Sequence, residues 1–105
     1  MINKPAVTPY KYNLDGDVEA SKVIATSSHE LVSVVVTSTG TSMAVRIYDT
    51  ADTSHLDTKK SILLAANAGE SVPYTPAQPI LFREGIYVVI EQGAFAGGEV
   101  FLTYT

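Results

Sequence analysis

Cysteine is absent from the 105-residue chain. That removes a disulfide framework, a thiolate nucleophile and a thiolate-ligated metal, and any stability outside a cell must come from packing and assembly. Charge is scarce as well, at 17% of residues against an average of about 25%, with a net of −4. The seven Lys and Arg are scattered, Lys59-Lys60 being the one basic pair. Nucleic-acid binding needs clustered cations to neutralise phosphates, so it is not expected. No apolar run approaches the ~20 residues that cross a bilayer, and Met1-Ile2-Asn3-Lys4-Pro5 lacks a signal-peptide core. The expectation is a protein made in a cytoplasm and not bound to a membrane.

What is present is β-strand punctuation for a single domain. The strongest stretch is Pro79 to Glu91, where Ile86-Tyr87-Val88-Val89-Ile90 is rich in β-branched and aromatic residues and bounded by Gly85 and Gln92-Gly93. Such a run suits the middle of a sheet, and Pro79 suits its start. Strands are also expected over Lys22–Ser27, Leu31–Thr39, Met43–Thr50 and Glu99–Thr105. The even residues Val32, Val34 and Val36 form an inward face. In the next strand Val45 and Ile47 share one side, and Arg46 and Tyr48 take the other.

The polar link Thr39-Gly40-Thr41-Ser42 predicts a hairpin between these two strands. A second hairpin is expected between Ile86–Ile90 and the C-terminal strand, because a terminal strand must be paired. Residues 49–60 read as the longest loop, tacked down by Leu56. Ser61–Ala66 reads as a strand and Asn67-Ala68-Gly69-Glu70 as a turn. Ser71–Pro76 reads as an edge strand protected by Pro73 and Pro76. These seven or eight strands make an all-β, antiparallel β-sandwich or jelly-roll-like domain over 18–105. Residues 1–17, with Pro5 and Pro9, read as an extended N-terminal arm whose Tyr10 and Tyr12 anchor on a neighbour.

Catalytic chemistry finds little to work with. His29 and His55 both fall in expected loops, no Gly-x-Ser-x-Gly turn occurs, and the scattered carboxylates single out no acid/base pair. The protein is therefore expected not to be an enzyme and to carry no cofactor. Asp49, Asp52 and Asp57, with His55 among them, are the nearest thing to a calcium loop, yet their spacing departs from the EF-hand pattern. Six tyrosines are suited to sheet faces and interfaces, or to stacking on a sugar. Several strands are apolar on both sides: Tyr87 and Val89 lie behind Ile86, Val88 and Ile90, and Phe101 lies behind Val100, Leu102 and Tyr104. A sandwich has one core face per sheet, so Tyr87, Val89, Phe101, Tyr10 and Tyr12 are expected at an interface.

The order Val45-Arg46-Ile47-Tyr48-Asp49, then a polar loop, Ile62 to Ser71, and Pro79-Ile80-Leu81-Phe82-Arg83-Glu84-Gly85-Ile86-Tyr87-Val88 resembles small β-sandwich virion structural proteins of tailed bacteriophages. The likeness spans residues 43–105 and includes no catalytic signature. It implies a capsid decoration or cement protein that joins the major capsid protein or other virion proteins as a symmetric homo-oligomer, a trimer by preference. The alternative, resting on the tyrosines and the acidic loop, is a carbohydrate- or host-surface-binding module of a tail or fibre.

Overall fold

The computed structural model describes residues 10–15, 21–39, 42–92 and 98–105. Their strands are β1 (Tyr10–Asp15), β2 (Ser21–Ala25), β3 (His29–Ser38), β4 (Met43–Tyr48), β5 (Ser61–Ala66), β6 (Ser71–Tyr74), β7 (Ile80–Phe82), β8 (Ile86–Gln92) and β9 (Gly98–Tyr104). One sheet runs β1-β9-β3-β6, with the short β7 also on β3, and the other runs β2-β8-β4-β5. All pairings are antiparallel.

Setting β7 aside, the chain pairs as nested partners: β1 with β9, β2 with β8, β3 with β6, and β4 with β5. It is one long antiparallel ribbon whose tip is the β4–β5 connection, rolled so that alternate pairs fall in opposite sheets. That is the jelly-roll version of the expected sandwich.

The rolling overturns both expected hairpins. β3 and β4 lie in different sheets, as do β8 and β9. Each of these strands carries a continuous buried row: Leu31, Val34 and Val36 with Val100 and Leu102 from one sheet, Val45, Ile47, Ile86 and Val88 from the other. Facing rows in two sheets bury one another. At about 1.5–3 kcal/mol for each fully buried aliphatic side chain, this shared core outweighs the local preference for a short turn.

Two details of the core differ from simple alternation. Leu31 is fully buried although it belongs to the odd set, while Val32 is only half-buried. The β3–β9 register shifts between Leu31 and Ser33, and this bulge inserts one residue and turns Leu31 inward beside Val34. Tyr48, on the side of β4 that faces away from Val45 and Ile47, is nevertheless only 7% exposed. Its ring packs on Tyr87 at 6.1 Å between centroids, and residues of the 49–60 loop line a hollow with it.

β3 is the longest strand because it serves two short ones in succession. β6 pairs with Val34–Thr37 and β7 with His29–Leu31, so the two share one edge. Pro73 sits in β6 opposite Val35, on the edge that the sequence reading assigned to it. β8 has β2 on one side and β4 on the other, the central position expected for Ile86–Ile90. Tyr10–Asp15, read as part of an arm, pairs along its whole length with β9, placing Tyr10 opposite Tyr104 and Tyr12 opposite Leu102. Residues 1–9 and the side chains of Tyr10 and Tyr12 lie outside what is described.

Between β7 and β8 the chain passes from one sheet to the other at Arg83-Glu84-Gly85. Gly85 is buried, and a Cβ there would sit 2.4 Å from the Ala25 carbonyl oxygen and 2.9 Å from that of Thr50. Both obstacles are backbone, which cannot rotate aside. Gly85→Ala is expected to lower stability by about 1–3 kcal/mol, the usual cost of overpacking. Denaturant unfolding followed by circular dichroism measures it, and an unchanged midpoint would show that the crossing has slack.

Candidate functional site

Two kinds of surface hold the residues singled out by sequence: the 49–60 loop and the outer sheet faces. The loop begins where β4 ends. Asp49 Oδ1 accepts the Glu84 backbone N–H at 2.8 Å and Oδ2 accepts that of Arg83 at 3.1 Å, while the Asp49 N–H donates to the Lys60 carbonyl at 2.8 Å. Thr50 is buried, and its hydroxyl accepts the Asp52 N–H at 2.9 Å. Asp57 caps the 3-10 turn Thr58–Lys60 by accepting the Lys59 N–H at 2.9 Å. Lys60 and Glu84 form an ion pair across the loop.

Asp49, Asp52 and Asp57 do come together. With Tyr48, Thr50, His55, Lys60 and Glu84 they line a hollow of about 210 Å³. Each carboxylate, however, is occupied with backbone or loop donors. Asp52 Oδ1 accepts from the Ser54 hydroxyl at 2.6 Å and the Ser54 N–H at 2.9 Å, and Oδ2 lies 3.1 Å from His55 Nδ1. Among the described residues no His, Cys, Asp or Glu group is arranged to hold a metal ion. The three aspartates are spent on folding the loop. Leu56, expected to tack the loop down, is 44% exposed and does not.

The donors of Ser54, its hydroxyl first and its N–H next, together with His55, hold the Asp52 carboxyl at about 2, below its usual 3.8. A general acid for glycoside hydrolysis needs the opposite shift. His29, read as a loop residue, instead opens β3, where its Nδ1 lies 2.8 Å from the Ser27 carbonyl oxygen and its ring meets Tyr104 edge-on at 5.6 Å. It lines a separate hollow of about 290 Å³ with Ile24, Ala25, Thr26, Ser27 and Tyr104.

The outer faces divide the expected interface residues. On the smaller sheet, Tyr87 and Val89 are half-buried, Tyr87 by its own neighbour Tyr48 and Val89 between Ser21 and Arg46 in register. Arg46 spans three strands there, donating from Nε to Glu91 at 2.7 Å and from Nη1 to Ser61 Oγ at 2.9 Å. On the larger sheet Phe101 is 38% exposed, opposite Val35 and then Pro73 along one cross-strand row. Exposed Leu63 and Leu81 were missed. In Ile62-Leu63-Leu64 every residue is apolar, so the run itself does not reveal which one faces out.

No protein-family model, curated protein or solved structure matches the chain. No helix among the described residues is long and apolar enough to cross a membrane.

Two outcomes follow from the loop. Asp52 has a depressed folded pKa, so its contribution is complete above the unfolded value of about 3.9 and is lost as pH falls through about 2. The Ser54 amide resonance should titrate with a midpoint of about 2 and cease to do so in Asp52→Asn; a midpoint near 3.9 would mean that the Ser54 bonds do not form in solution. Asp49→Ala should cost about 1–2 kcal/mol through two lost charge-assisted bonds, and Asp57→Ala about 1 kcal/mol or less through a lost cap. Calcium and chelator should leave the wild-type Tm unchanged, and a calcium-dependent rise would show that the aspartates rearrange around an ion.

Proposed function

We propose that the protein is a virion structural subunit, of the capsid decoration or cement kind that its sequence resembles, and that it acts by surface docking. The observation that carries this reading is the outer face of the larger sheet. Phe101 sits in one row with Val35 and Pro73, and in register with Asn13 of β1; Ser33, Thr37, Ser71, Glu99 and Thr103 share that face, with Glu30 and Leu81 toward β7 and Lys11 and Asp15 in register on the β1 edge. Among the described strands β3, β6 and β9, carboxylates enter only at Glu30 and Glu99. An apolar row that includes an aromatic residue, with charge toward the edges of the face, has the composition of an interface core and its rim, where an aromatic anchor supplies much of the binding energy.

The fold supports the reading at the level of analogy, since jelly rolls build viral capsid domains as well as lectins. For the sugar-binding alternative the platform is weak: Tyr48 is 7% exposed and packed on Tyr87. The partner in this reading is the major capsid protein or another virion protein, and the place of action is the particle.

Purified protein mixed with virions should co-sediment at a fixed copy number per particle. Phe101→Lys should lower the apparent affinity by roughly tenfold or more, the scale of an interface hot spot, with an unchanged circular dichroism spectrum. Occupancy without a fixed ratio, or indifference to Phe101→Lys, overturns the proposal.

A further inference from the structure

We draw no further inference here: the strongest candidate, the outer face of the smaller sheet, where Val89 and the exposed Leu63 flank Arg46 in register beside Tyr87, is an apolar face and nothing in the structure shows what covers it.

Discussion

The crossing at Arg83-Glu84-Gly85 is the constraint on which the two-sheet arrangement depends. Ile80–Phe82 completes the edge beside the first half of β3, and a few residues later Ile86–Gln92 occupies the middle of the opposite sheet. The chain can do both only if it turns between the layers in almost no space. Gly85 allows this because a side chain there would meet the carbonyls of Ala25 and Thr50. Asp49, at the end of β4, holds the turn by accepting the N–H groups of Arg83 and Glu84. A carboxylate that resembles a metal ligand in the sequence is thus a bracket between a loop and a crossing.

That bracket gives the acidic loop a structural task. Three aspartates, a histidine and an ion pair fold residues 49–60 beside Tyr48, whose ring in turn packs on the half-buried Tyr87. Among the described residues the exposed large apolar side chains are Leu56 in the loop itself, Leu63 on the outer face of the smaller sheet, and Leu81 and Phe101 on that of the larger one. The row of Phe101, Val35 and Pro73 is the part of the larger sheet's outer face with the composition of an interface core.

Much of the fold was legible because the period of two is local. Val34 and Val36, Val45 and Ile47, Ile86, Val88 and Ile90, and Val100 and Leu102 announce their buried faces by alternation alone, and all are buried. Pro73 marks an edge strand for the equally local reason that it lacks a donor. The interface residues were less legible. Phe101 faces out as alternation requires, but Tyr87 is packed on by Tyr48 from the neighbouring strand, and Leu63 is hidden in a run with no polar residue to set its phase.

The sequence by itself determined the strands, most of the core-facing sides and the absence of cysteine cross-links. Each of these depends on a residue and its immediate neighbours. Only the tertiary structure decided that β3 and β4, and β8 and β9, part into different sheets, that a bulge turns Leu31 inward, and that Tyr10–Asp15 pairs with β9. Those outcomes belong to partner choice, which the alternation of one strand does not encode. Facing apolar rows from distant parts of the chain compete with nearby turns, and the rows that fill one core together win.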